Sequence, residues 1–292
     1  MRSLRFPQLS LLALLLISGS STLVYAADAD WQKSYPVAGK PSVFLTTGDT
    51  SLEVHSCDAC REVRVRVEWN DRKSSDYVLS EFQSANHVNF ELKEKSHIGI
   101  HISVGSRHEP RVTVETPKAV DLVARTADGS LKIWGIQGSL ELKTGDGSVE
   151  VSDVSGELRL TASDGSIRIH NVTGTLETRS SDGSVEIDGR FTALQVHSSD
   201  GKLDVTVAEG SRLTSPSRIE SSDGRVSVRL PRTLAADLEV HTSDGQIHCD
   251  LPVIMNGNTA SRSGHDLRGR LNSGGVPLVI HTSDGNVTIA AL

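Results

Sequence analysis

The 292 residues carry 30 Lys and Arg against 37 Asp and Glu, a formal charge of −7, and only 4% of them are aromatic. An acidic chain without a basic stripe excludes functions that depend on neutralising phosphates, such as nucleic-acid binding or charge-driven adsorption to a membrane. So few large rings beside 25 glycines argue against one globule filled by bulky side chains and for thin, stacked layers of strands and turns.

At the start of the chain, Arg2 and Arg5 precede an apolar run at 9–17, and Val24 and Ala26 supply the small residues of a cleavage site. Residues 1–26 therefore read as a secretory signal peptide. Cleavage after Ala26 removes Arg2, Arg5 and no acid, which takes the formal charge from −7 to −9. No later segment approaches the ~20 apolar residues that span a bilayer, so no transmembrane segment is expected in the mature chain.

Residues 27–117 read as an N-terminal β capping region, because "PSVFLTTGDTSLEVHSC", "EVRVRVEW", "HVNFELKEKSHIGIHISV" and "RVTVETP" all alternate apolar and polar residues. Its expected task is to cover the open strand edge of the C-terminal repeat region. Cys57 and Cys60, in "SCDACRE", are candidates for a disulfide in the oxidising compartment that export implies. Redox or zinc chemistry is the weaker reading, since strand patterns flank the pair and no second ligand pair lies downstream at zinc-site spacing.

From 118 to 292 the chain repeats itself. Asp-Gly pairs fall at Asp128-Gly129, Asp146-Gly147, Asp164-Gly165, Asp182-Gly183 and Asp200-Gly201, each 18 residues after the last. Asp223-Gly224, Asp244-Gly245 and Asp284-Gly285 come after 23, 21 and 40 residues. Aligned on Asp, three columns are apolar: Leu122, Leu140, Leu158, Leu176 and Leu194; Leu131, Val149, Ile167, Val185 and Leu203; Ile133, Val151, Ile169, Ile187 and Val205. Two short strands per ~18-residue repeat, each with one apolar face, predict an all-β, parallel β-solenoid whose layers are ~4.8 Å apart. Outward columns alternate in charge, as in Lys132, Glu150, Arg168 and Glu186, which favours one register over its neighbours. Cys249 falls in an apolar column and is expected to be a buried small hydrophobe.

The corner pairs are read as structural turns, with Asp bonding nearby backbone amides and Gly accepting positive φ. Catalysis by stacked carboxylates is the weaker reading, because an acid and its partner need unlike environments and a repeated corner offers the same one each time. Calcium fares no better: "TASDGSIRI" lacks the glycine-rich G-G-x-G-x-D loop of the calcium-binding roll. His197, His241 and His281 all lie three before an Asp on an outward face, without a spacing that fixes a metal site. The polar stretch 255–275, "MNGNTASRSGHDLRGRLNSGG", is the main loop candidate or a partly ordered extra layer. Hydrolase elbows, zinc-protease helices and phosphate loops are missing, so no catalytic, cofactor-binding or metal residues are assigned.

The stretch "RVTVETPKAVDLVARTADGSLKIWGIQGSLELKTGDGSVEVSDVSG" resembles the bacterial "putative adhesin" family, a β-strand-repeat domain of unknown function. Leu122, Thr126, Gly129, Leu131, Ile133, Ile136 and Gly138 match its pattern, and the similarity extends to the closing "VPLVIHTSDGNVTIAAL". The "SCDAC" segment and the uniform Asp corners depart from it. The resemblance implies an extracytoplasmic protein with no catalytic residues to carry over. The expected function is that of a non-enzymatic, adhesin-like binding or scaffold module at the cell envelope, periplasmic or on the surface. Its expected partner is envelope polysaccharide or another protein. A polysaccharide-active enzyme on a β-helix scaffold and a purely structural envelope protein are the competing readings.

Overall fold

The structure, a computed structural model, describes residues 29–95, 109–255, 261–262 and 264–292. The expected signal peptide and the stretch 96–108 lie outside them. The described chain is all-β, forming one large, mixed and mostly parallel sheet, with a single 3-10 turn at Ser74–Asp76 and no α-helix. No helix in it is long and apolar enough to cross a membrane.

Two parallel ladders run side by side. In spatial order the first takes His87–Glu94, Ser42–Thr47, Asp121–Arg125, Gln137–Lys143, Ser155–Ala162, the second halves of Ile167–Ser180 and Val185–Ser198, Ser217–Asp223, Pro277–Asp284 and Ala236–Thr242. The second takes Arg111–Pro117, Ser51–Cys57, Leu131–Trp134, Val149–Ser152, the first halves of Ile167–Ser180 and Val185–Ser198, Leu203–Val207, Val226–Leu230, Val287–Ala291 and Ile247–Cys249. Each rung is one strand from each ladder. In mid-molecule the paired residues are 18 apart, as in Leu140 with Leu158 and Val149 with Ile167. All three apolar columns face inward there, and none of their members is more than 2% exposed. Their burial supplies the main favourable term for the fold.

Two repeats do not break into separate short strands. Ile167–Ser180 and Val185–Ser198 each run for 14 residues. Their mutual register shifts between Ile169 and Val172 and again after Gly174, so the chain bends between ladders through bulges while strand pairing continues.

At both ends the rung order departs from the chain order. The last strands, Pro277–Asp284 and Val287–Ala291, insert between the rung at 217–230 and the rung at 236–249. The Asp244-to-Asp284 spacing of 40 therefore reflects permutation: Asp223 pairs with Asp284, and Asp244 belongs to the rung beyond. At the other end, the rung built from His87–Glu94 and Arg111–Pro117 lies outside Ser42–Cys57. Four strands of 27–117 thus continue the ladders, and among the described residues of this range Trp31–Pro36, Glu62–Glu68 and Tyr77–Ser84 lie antiparallel as a cover. Gln83 Nε2 donates to Pro36 O at 2.6 Å, and Lys33 pairs with Glu81, which draws the two halves of the cover together. The rings of Trp31 with Phe90 and of Trp69 with Tyr77 pack at this end, where the stack needs a thick plug.

The far end is closed by Asp266–Leu271, antiparallel to Ala236–Thr242. Part of the expected loop at 255–275 is therefore a strand. Cys249 lies on the outermost strand of the second ladder and is half-buried, not fully buried, since among the described residues no further strand pairs with Ile247–Cys249 on that side.

Candidate functional site

Stacking the rungs produces three linear features: one corner and two outer walls. The corner carries, in spatial order, Asp49, Asp128, Asp146, Asp164, Asp182, Asp200, Asp223, Asp284 and Asp244, all exposed. Asp49 belongs to "TGDT", where no glycine comes after the Asp, so the Asp-Gly signature misses it.

The corner glycines are needed for a different reason from the one their turns suggest. Gly183, Gly201 and Gly224 have φ of 120°, 104° and 134°, but Gly129, Gly147, Gly165, Gly245 and Gly285 do not lie in the left-handed region. What all share is proximity to the next rung. A Cβ on Gly147 would meet Gly129 O at 2.1 Å, one on Gly165 would meet Gly147 O at 2.1 Å, and one on Gly285 would meet Gly224 O at 1.9 Å. Close backbone approach between layers, repeated along the corner, fixes the glycine.

The carboxylates also behave differently from the expectation. Among the described residues none of these corner Asp side chains accepts a backbone hydrogen bond within its own turn. The corner amides bond instead to the preceding rung, as Asp182 N does to Ser163 O at 3.0 Å and Asp200 N to Ser181 O at 2.8 Å. Inside the corner a line of buried hydroxyls accounts for further carbonyls: Thr126 donates to Gly48 O at 2.7 Å, Ser198 to Asp200 O at 3.1 Å and Thr242 to Gly285 O at 3.0 Å. Partial loss of hydration, then repulsion from Asp182 and Asp223, raises the Asp200 carboxyl above its ordinary value. Asp49 is raised as well, by burial and then by Asp128 and Glu109, against the opposing pull of Arg72.

On the wall of the first ladder the histidine column reads His197, Glu220, His281, His241 and Asp266. His197 Nδ1 is 3.8 Å from Glu220, His241 Nδ1 is 2.8 Å from Asp266 Oδ1, and the His241 and His281 rings stack at 5.3 Å and 3°. Parallel rings direct their nitrogens alongside each other instead of toward one point. Among the described residues no group of three or more His, Cys, Asp or Glu is placed to hold a metal ion. The neighbouring Arg218–Glu220 and Arg268–Glu239 pairs, both at 2.6 Å, compensate the charge of this groove.

The wall of the second ladder carries the residue that alignment on Asp leaves unremarked. Lys132, Glu150, Arg168, Glu186 and Asp204 line up as expected. Two residues further on, His55, Trp134, Ser152 and His170 form a parallel column. Trp134 is 37% exposed, and its ring stacks on His55 at 4.7 Å and 8°. It is the sixth residue after Asp128, in a column where later repeats have Ser152 and His170, so a large apolar ring among small and polar residues was the available signal. Near this end, Cys57 and Cys60 are joined as a disulfide that closes the turn out of Ser51–Cys57.

These features define an all-β repeat protein whose distinctive chemistry lies along one corner and two outer walls. The chain belongs to the toastrack DUF4097 family, whose model matches residues 42–290. It is similar to a solved structure described as a putative adhesin from Bacteroides fragilis, at 10% identity over 91% of this chain and 98% of that one, with a TM-score of 0.43. A putative cell adhesion protein from Clostridium sporogenes matches at 10% identity over 90% of this chain and 100% of its own, with a TM-score of 0.29. No curated protein matches.

Proposed function

We propose that this protein is a non-enzymatic, adhesin-like binding or scaffold module of the bacterial cell envelope, with its rungs wound as a β-solenoid and residues 1–26 directing its export. The observation that carries the reading is the continuity of the walls. The ten rungs among the described residues, at ~4.8 Å each, give columns roughly 43 Å long, along which polar side chains recur at the spacing of the layers. Such a surface matches a polymeric partner better than a small substrate, because each layer offers another weak contact and weak contacts sum along the polymer. Envelope polysaccharide is the partner class favoured here, and a partner protein is the other occupant the walls could take.

The test is co-sedimentation of the mature chain with cell-wall and outer-envelope polysaccharide fractions, assaying the same tubes for released reducing sugar. Saturable retention without release is expected. Release of sugar would replace the binding module with an enzyme.

A further inference from the structure

We propose that the slot beside Trp134 is a stacking subsite for one pyranose ring of a neutral, gluco-configured polysaccharide. The proposal rests on the binding-module reading and gives it an address and a ligand class.

Its geometry comes from the column His55, Trp134, Ser152, His170. Trp134 ends the strand Leu131–Trp134, and Gly135 turns the chain immediately afterwards with φ of 75°; a Cβ there would meet Ser56 Oγ at 2.5 Å. The backbone under the indole is therefore fixed. One face of the ring is covered by His55, whose Nε2 lies 3.7 Å from Glu115 Oε1. On the next rung the column narrows to Ser152, and His170 comes one rung later. Two rung spacings amount to ~9.6 Å, enough for a flat, saturated ring to lie against the face of the indole turned away from His55, with Ser152 as its floor. The groove beside Trp134 has a volume of about 330 Å³ and is lined by Glu53, Lys132, Ile133, Glu150 and Ser152.

The chemistry of the groove selects the ligand. An exposed indole in a polar wall offers an apolar face with polar groups at its edge, the combination by which binding sites fix an amphipathic ring. A gluco-configured pyranose is complementary: its axial C–H bonds form apolar faces and its equatorial hydroxyls project sideways. Glu53 and Glu150 accept hydrogen bonds from such hydroxyls, while Lys132 and Ser152 donate. Among the described residues Lys132 and Glu150 make no ion pair, so binding does not require one to break. Glu53 and Glu150 are balanced by Lys132 and by Arg111, whose Nε lies 3.8 Å from Glu53 Oε1, so the groove holds no surplus cation to recruit a uronic acid.

Cellohexaose is the probe, titrated into the full mature chain and followed by calorimetry and tryptophan emission. Trp31 and Trp69 pack on Phe90 and Tyr77 in the cover, so an emission change reports Trp134. Saturable binding with a change in emission is expected, with at least a tenfold loss in Trp134→Ala and retention of most affinity in Trp134→Phe. Ser152→Phe, which fills the slot and leaves Trp134 in place, should also lose at least tenfold, and polygalacturonate should bind more weakly than cellohexaose. Thermal unfolding of each variant separates loss of the subsite from loss of the fold. If the wild type is retained by envelope polysaccharide but ignores cellohexaose, or Trp134→Ala binds as the wild type does, the subsite falls and the binding-module reading stands. If the wild type is retained by no envelope fraction and ignores cellohexaose, the subsite and the polysaccharide partner both fall, which leaves a partner protein as the occupant of the walls.

Discussion

The middle of the molecule and its two ends are made of the same rungs but assembled by different rules. Between Asp121 and Val207 each strand pairs with the one an 18-residue repeat away, and the corner glycines pack carbonyl against Cα from layer to layer. At the ends, strands distant in sequence are interleaved and antiparallel segments close the stack. Local repetition suffices to extend a ladder. Ending one requires something the repeat does not contain, because an identical final rung would leave a sticky edge.

The largest effect should come from removing the inserted rung. Truncation before Pro277 deprives Ser217–Asp223 and Ala236–Thr242 of their shared neighbour. Hydrogen exchange should then show lost protection over 217–271 while 121–207 stays protected. Loss of protection throughout would mean that middle and ends form one cooperative unit.

Next in size is the corner. Gly147→Ala should destabilise by about 3 kcal/mol or more, since the clash is with backbone and cannot be relieved by a rotamer. Gly48→Ala, at a position with open space for a Cβ, should lie within ~0.5 kcal/mol of the wild type. Denaturant melts of the two variants check the contrast.

Reduction of the Cys57–Cys60 bridge should be smaller again. It closes a loop of sequence separation 3, for which the chain-entropy model gives at most ~2 kcal/mol. Cys57→Ser with Cys60→Ser, melted beside the reduced wild type, should show that loss with the middle rungs intact.

The smallest effect is electrostatic, and its sign differs between the regions. Asp200, in the middle, has its folded carboxyl raised by partial loss of hydration and by Asp182 and Asp223. It therefore favours folding below the unfolded carboxylate value of ~3.9, a contribution lost as pH rises through the raised folded value. Asp121, which meets Lys40 of the N-terminal region at 2.6 Å, is lowered, chiefly by that hydrogen bond. Its contribution is present above the unfolded value and is lost as pH falls through the folded one. Asp200→Asn should thus slightly stabilise the protein at neutral pH and Asp121→Asn slightly destabilise it. Carboxyl titrations followed by NMR should move in opposite directions from the unfolded value.

The same division explains what the sequence reveals. In the middle, Leu140, Leu158 and Val151 declare their inward direction because each recurs at a fixed distance from its Asp. The place of Asp284 between Asp223 and Asp244 is invisible, since pairing across 61 residues leaves no local mark and the gap of 40 looks like an insertion. The half-exposure of Cys249 stems from the same hidden order. Trp134 was legible in principle: a ring in a column shared with Ser152 and His170 stands out once outward positions are aligned as carefully as inward ones. The stacking partner His55 was not, because its strand precedes the regular repeat.

The inserted rung also has a consequence in time. A chain that emerges from one end can lay its middle rungs down in order, each on the last. The segment 236–249 cannot take its final place until 277–291 has arrived and settled against 217–230. Completion is thereby withheld until the late residues have emerged, and a nascent molecule stalled before them keeps an open edge. Under the export proposed above, which threads the chain through a channel before it folds, such a delay postpones closure until passage is nearly complete.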